Sequence, residues 1–369
     1  MEILRVIGFF LLATLLSTLE TVNASNLNDG TQQVLVAETV SEQASFGQQE
    51  QPQQVPTQQQ QQVPTQQQQQ PPTKHELSIL TQNCKLLLVV GEWPVMPVSA
   101  SARARRIADR LVANAYDIIG LNEVFLKDST AIVKSVLESN GYNVITNFPE
   151  SLPSVIKFVN SGLLLASRRP IIAHHFERYT QSSGMDVFAT KGILVAELGN
   201  TNSSESTATA KTTASRIFVA ISHLQSEGSD DIMESQFIHV GAVIQKFVLD
   251  RVQDDDELRA STVLVFGDMN VIEQNTPHLY ESLLKNLSKD TVDLYVRANG
   301  EGNGGATFPV DNPVERLDYV FSLTEFEGRP GVKLGGSEVL SVAVDKLIVQ
   351  DSDIALSDHL GVVANIALL

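Results

Sequence analysis

The stretch Ser261–Val271, STVLVFGDMNV, constrains the fold most. Val263, Leu264, Val265 and Phe266 form an unbroken run of β-branched and bulky apolar residues, suited to a central strand. Gly267 breaks the run and lets the backbone turn. Asp268 and Asn270 follow at i and i+2, so an extended backbone presents both on one side. An acid and an amide at the carboxyl end of a strand suit a phosphate–metal site. Asp268 can orient a nucleophile or stabilise a leaving group, and Asn270 can donate to a phosphoryl oxygen. Taken alone, the same stretch is an ordinary strand ending in a polar turn, so the rest of the chain has to decide.

Not all 369 residues look foldable into a core. Residues 1–24 have the form of a secretory signal peptide: Arg5, a short apolar run from Ile7 to Leu16, and small residues at Val22-Asn23-Ala24. An uncleaved signal anchor is the competing reading. Residues 25–74 are dominated by Gln and Pro from Ser41 to Thr73, with the tandem QQVPTQQQQQ and VPTQQQQQPP, and are expected to be disordered or extended. One globular region remains, residues 75–369, ample for a single α/β domain. The net charge is −17, of which residues 1–74, with six acids and two bases, carry −4 and the globular region −13. An acidic surface disfavours non-specific polyanion binding and so counts against a nucleic-acid binder. Cys84 is the only cysteine, which excludes an intrachain disulfide. The sequons Asn202-Ser203-Ser204 and Asn286-Leu287-Ser288 are compatible with glycosylation.

Periodicity places strands at Leu77–Asn83, Tyr116–Leu121, Tyr142–Thr146, Ser161–Ser167, Gly192–Leu198, Ile217–Ser222, Val263–Phe266, Arg316–Phe321 and Leu360–Leu368. Helices are expected over Ser101–Ala115, after a cap at Asp128 or Ser129, over Asp230–Val252 and around His278–Leu287. The Ser/Thr-rich segment 199–215 reads as an exposed hairpin loop. Hairpin-like pairs interrupt the strand–helix alternation. That favours two packed mixed sheets with helices outside over a simple doubly wound sheet.

Six polar clusters lie at or beside strand ends: Asn83; Asn122-Glu123; Ser222-His223; Asp268 with Asn270; Asp318; and Asp358-His359. Strand ends on one edge of a sheet can converge on one cleft. Individually each has an ordinary explanation, as a cap, a turn or a structural histidine. Glu123 is the hardest to explain so, because it closely follows the buried-type run Ile118–Leu121, and buried carboxylates need a partner or a metal.

Together these clusters resemble the endonuclease/exonuclease/phosphatase superfamily. The matching pieces are TQN at Thr81–Asn83, NEVF at Asn122–Phe125, SGLLLAS at Ser161–Ser167, SHLQ at Ser222–Gln225, GDMNV at Gly267–Val271, RLDYVF at Arg316–Phe321 and SDH at Ser357–His359. They occur in the family's order and cover nearly all of residues 77–369. Within the superfamily the chain is similar to the secreted and neutral sphingomyelinases, through NEVF, His223-Leu224-Gln225, GDMNV, the run from Thr307 to Phe321, and DVFATKG at Asp186–Gly192. It departs from some bacterial members in lacking evident paired aromatics of a membrane-docking hairpin and the cysteines of their disulfides.

The resemblance implies a DNase I-like, four-layer α/β sandwich of two packed mixed β-sheets flanked by helices. It implies a Mg²⁺-dependent phosphodiesterase of phospholipase C type that cleaves sphingomyelin to ceramide and phosphocholine, with Mn²⁺ or Co²⁺ as alternative cations. Glu123 would be the principal metal ligand, with Asn83 helping. His359 would be the general base, its second ring nitrogen held by Asp318. Asp358 and Asp268 would lie near the metal or the nucleophile. His223 and Asn270 would hydrogen-bond phosphoryl oxygens, and Lys191 would contact the phosphate or gate the site. His174, His175, His239 and His278 match no motif and read as surface or structural. The expected partner is phospholipid at a membrane surface, contacted peripherally by a secreted monomer, with no nucleic acid. Two alternatives stay open: a nuclease or inositol-phosphate phosphatase of the same fold, and an inactive secreted binding module.

Overall fold

The run Val263–Phe266 is the middle of a central strand, β8 (Ser261–Asp268), every residue of which is buried. This computed structural model describes residues 76–87, 98–146, 160–199, 216–345, 350–351 and 354–368. The signal peptide, the Gln/Pro segment, the sequon at Asn202 and nearly all of the loop expected at 199–215 lie outside them.

Two six-stranded sheets are built from the strands in the orders β11-β14-β1-β2-β4-β3 and β5-β6-β7-β8-β10-β9. The first takes β1 (Glu76–Leu86), β2 (Ile118–Val124), β3 (Asn143–Thr146), β4 (Leu164–Ser167), β11 (Ser337–Asp345) and β14 (Gly361–Leu368). The second takes β5 (Ile171–Arg178), β6 (Gly192–Leu198), β7 (Arg216–His223), β8, β9 (Thr291–Asp293) and β10 (Asp318–Leu323). A two-residue pair, β12 (Gln350–Asp351) and β13 (Ile354–Ala355), stands apart. Inner strands such as β6 and β8 are covered on both faces, so they read as continuous apolar runs rather than alternating ones.

Between the sheets lies one apolar layer containing Ile79, Ile118, Leu194, Val219, Ile221, Leu264, Phe266 and Val320. Helices α1 (Ala100–Asn114) and α2 (Lys127–Ser139) cover the outer face of the first sheet through Ala104, Ile107, Leu111, Val133 and Leu137. Helices α3 (Asp230–Leu249) and α5 (Pro277–Leu287) cover the second through Phe237, Val240, Ile244, Leu279 and Leu283. The short helices α4 (Asp255–Arg259) and α6 (Leu294–Asn299) complete the set among the described residues. The result is the four-layer sandwich expected from the sequence.

The edge strands β5 and β11 were not legible in the sequence. Their burial alternates and is mostly shallow, with His174, His175, Glu177 and Arg178 on β5. Charged edges discourage pairing with other chains, and they dilute the apolar signal. Three local expectations are corrected. Neither Asp128 nor Ser129 caps α2: the cap position is Leu126, which makes no side-chain cap bond, and Asp128 sits in the first turn, where a carboxylate suits the helix dipole. The strand expected from Arg316 begins at Asp318. The extended backbone ends at Asp268, and Asn270 turns back with φ of 50°.

Asn122 ties the two sheets together through the backbone near their strand ends. Asn122 on β2 donates from Nδ2 to the Ser222 carbonyl of β7 at 2.8 Å, and its Oδ1 accepts from the Asp268 N–H of β8 at 3.2 Å. The close approach needs Gly120, where a Cβ would meet the Phe266 ring at 2.3 Å. Asn122 is fully buried, so Asn122→Ala leaves a carbonyl and an N–H without partners. The expected cost is about 2–4 kcal/mol, read as a lower urea midpoint with an unchanged denaturant slope.

Candidate active site

Register brings the strand-end polar residues together. Asn83 on β1 is paired with Asn122 on the parallel neighbour β2, and Glu123 follows at once. In the opposite sheet His223 of β7 is paired with Asp268 of β8, and Asp268 with Asp318 of β10. These form one row across three strands. The loop before β14 supplies Asp358 and His359.

The geometry is close. Asn83 Nδ2 donates to Glu123 Oε1 at 3.0 Å and to Asp268 Oδ2 at 2.9 Å, spanning the two sheets. Its Oδ1 accepts the Lys85 N–H at 3.1 Å. His359 Nδ1 lies 2.8 Å from Asp318 Oδ2, and its Nε2 lies 3.9 Å from Asp268 Oδ2. The loop that carries His359 is fixed by the Ser357 hydroxyl, which donates to the Asn83 carbonyl at 2.7 Å and accepts the His359 N–H at 3.2 Å. Phe308 packs on the His359 ring with centroids 4.9 Å apart.

His223 Nε2 is 3.6 Å from Asp268 Oδ2 and 3.9 Å from Glu123 Oε1. Lys191 Nζ stands 3.2 Å from the same nitrogen and also meets Asp186 Oδ1 at 2.8 Å and the Leu224 carbonyl at 2.9 Å. All three ammonium donors are therefore engaged inside the protein. Asn270 donates through Nδ2 to the Leu224 carbonyl at 3.1 Å, and its N–H goes to Asp268 Oδ1 at 3.0 Å. Asp358 is beside His359 in sequence, and its carboxylate is ion-paired with Lys85. Lys85, Glu123 and Asn270 all have positive φ, of 45°, 57° and 50°. For residues with a Cβ this conformation is costly, and such strain gathers where side chains must be aimed.

Electrostatics follow from burial. Desolvation pushes the Glu123 carboxyl up, partly offset by the Asn83 hydrogen bond. Desolvation followed by the Asp318 charge pushes Asp268 up as well. His223 is pushed well below its ordinary value by burial and then by the Lys191 charge. Burial alone would lower His359 too, but Asp318, its hydrogen bond, Asp268 and Asp358 outweigh it and raise the imidazole to about 10.

The half-buried Glu123 carboxylate and the buried Asp268 carboxylate, facing each other across one amide, form a place for a cation. Glu123, Asp268 and His223 offer ligand atoms all within 4.8 Å of one another. With the His223 nitrogen turned to an ammonium, the remaining donors are oxygens, which suits a hard divalent ion such as Mg²⁺ better than zinc. Metal-free, the folded site holds protons that the unfolded chain releases: on the raised Glu123 and Asp268, and on His359 up to about pH 10. Stability from His359 is full below about pH 6.5 and lost as pH rises through 10. In EDTA the protein should therefore lose stability between pH 6.5 and 10, and His359→Gln should flatten that fall. Urea titrations across the range check it.

The structure thus gathers Asn83, Glu123, Lys191, His223, Asp268, Asn270, Asp318, Asp358 and His359 at one end of the sandwich. Sequence reasoning missed Lys85, Asn122 as the bridge between sheets, and buried Arg103. The Arg103 guanidinium donates to the carbonyls of Cys84, Lys85 and Leu356. Its position on the apolar stripe of α1, beside Ala104 and Ile107, was the available signal. A groove of about 350 Å³ along β5 and α3, lined by His174, His175, Glu177 and Lys246 among others, shares no residue with the cluster.

Comparison with known proteins bears on the fold. The model of the endonuclease/exonuclease/phosphatase family matches residues 80–359. No curated protein matches the chain in sequence. Among solved structures, beta toxin from Staphylococcus aureus (a structure described by its residues 275–280) is 20% identical with a TM-score of 0.55, covering 78% of this chain and 99% of its own. Sphingomyelinase C from Streptomyces griseocarneus is 20% identical at 0.54, covering 79% and 99%. A humanized TDP2 from D. rerio is 14% identical, also at 0.54, covering 79% and 98%. At these identities the likeness speaks for the fold.

Proposed function

This chain belongs to the endonuclease/exonuclease/phosphatase family, whose members hydrolyse phosphoric esters, and from that premise we propose that it is a divalent-metal-dependent sphingomyelin phosphodiesterase. The observation that carries the hydrolytic reading is the His359–Asp318 pair at 2.8 Å, with Nε2 turned to the Asp268 side of the cluster. Asp318 holds the proton-bearing Nδ1 and leaves Nε2 for water. His359 takes a proton from that water, whose oxygen bonds to phosphorus as the bond to the ceramide oxygen breaks; the departing alkoxide takes a proton from solvent, and His359 returns its own to solvent to reset the site. Glu123, with Asp268 beside it, would hold a divalent cation that would offset charge building on the phosphoryl group and counter the carboxylates that keep His359 protonated; Asn83, whose Nδ2 donates to both carboxylates and whose Oδ1 is taken by the Lys85 N–H, positions them rather than ligating the ion. Asn270 has one amide N–H left for a phosphoryl oxygen. Lys191 acts through His223, setting its neutral form and orientation.

The choice of sphingomyelin rests on the buried Asp186–Lys191 pair at 2.8 Å, which ends on His223 and belongs to the DVFATKG element similar to that subgroup. One of the similar solved structures, sphingomyelinase C, carries that activity in its name. TDP2, one of whose structures holds a single-strand DNA product, keeps a nuclease as the second reading. No helix among the described residues is long and apolar enough to cross a membrane. The test is phosphocholine release from sphingomyelin vesicles with Mg²⁺ and then with EDTA. Release that stops on chelation is expected. Cleavage of single-stranded DNA with no phosphocholine release would move the assignment to a nuclease.

A further inference from the structure

Lys85 lies outside every motif that carries the family resemblance, yet three contacts fix it in the cluster. Its N–H donates to Asn83 Oδ1 at 3.1 Å, its carbonyl accepts from Arg103 Nη2 at 2.6 Å, and its ammonium pairs with Asp358 Oδ2. Its backbone holds a φ of 45°, disfavoured for a residue with a Cβ. The paired side chains of Lys85 and Asp358 are only 15% and 12% exposed. Asp358 is near enough to act on both Glu123 and His359 through its charge. Beside a divalent-cation site, a carboxylate so placed is the obvious ligand for a second ion. Here the Lys85 ammonium, tethered to the end of β1, already holds it.

We propose that Lys85 is a resident cation of the site: it occupies Asp358, fixes it beside His359, and limits the chain to one divalent ion. This rests on the metal-dependent reading above. As a positioning residue, Lys85 touches neither water nor phosphate; it decides how many ions the carboxylates can take.

The test counts Mn²⁺ bound to the full chain by isothermal titration, without substrate. Wild type should bind one ion. Lys85→Met should bind two, because the freed Asp358 carboxylate opens a second place, and Lys85→Arg should return to one. Asp358→Asn, alone or with Lys85→Met, should bind one. One ion in both wild type and Lys85→Met overturns the role of Lys85 and leaves the phosphodiesterase reading standing. Two ions in wild type overturn it as well. If Lys85→Met fails to fold, Asp358→Asn still decides: loss of the single ion there makes Asp358 a ligand of that ion and overturns the proposal. No ion in wild type overturns both this proposal and the metal reading on which it rests.

Discussion

His359→Ala is expected to lower metal-dependent phosphocholine release by about 10²–10⁴-fold, the range that a positioned general base supplies. Among the described residues no other side chain presents a nitrogen of suitable basicity there, since His223 is held neutral by burial and by Lys191. The loss should fall on kcat, because His359 handles a proton that moves only in the transition state. Alanine also removes the partner of buried Asp318, whose Oδ1 already has none, so some stability will go with the activity. His359→Gln keeps an amide near Asp318 and separates the two effects: it should be as inactive with a smaller drop in thermal midpoint. Rates within a factor of ten of wild type for His359→Gln would remove the residue from the role of base.

Glu123→Gln should invert the response of the protein to divalent ions. Without metal, ionised Glu123 is disfavoured by burial and faces Asp268 across Asn83 Nδ2. Removing that charge should make the variant more stable than wild type in EDTA at neutral pH. With Mg²⁺ the order should reverse. An ion bound only by the folded state, at a hundred times its dissociation constant, stabilises by about 2.7 kcal/mol. At about 2–4 °C per kcal/mol for a domain of this size, wild type should gain roughly 5–10 °C. The variant should gain almost nothing and lose vesicle hydrolysis together with the shift. An equal Mg²⁺-dependent shift in both proteins would place the ion elsewhere.

How much of this was legible beforehand depends on the kind of residue. The inner strands were readable because burial on both faces leaves continuous apolar runs, as at Gly192–Leu198, where expected and observed bounds coincide. The edges β5 and β11 were not, because half-exposed strands carry charge. Glu123 stood out as an acid next to a buried run, and Asp358-His359 as a polar pair before the last strand. Lys85 gave no signal, since a lysine after a strand is ordinarily solvated. The polar run of Asn122 marked a strand end, but nothing local says that an amide will reach across an apolar layer to two strands of another sheet.

The sequence by itself determined most of the inventory: the inner strands and the long helices, and which strand ends carry acids, amides and imidazoles. Hydrophobic periodicity and residue chemistry are local properties, written in a few consecutive positions. Only the tertiary structure decided that these ends share one edge. The alignment of His223, Asp268 and Asp318 is set by strand register, and the facing of Asn83 and Glu123 towards them by the packing of one sheet on the other. The same long-range packing pairs Lys85 with Asp358 across 273 positions of chain and gives each buried group its electrostatic environment. Those relations depend on residues far apart in sequence, so no window along the chain contains them.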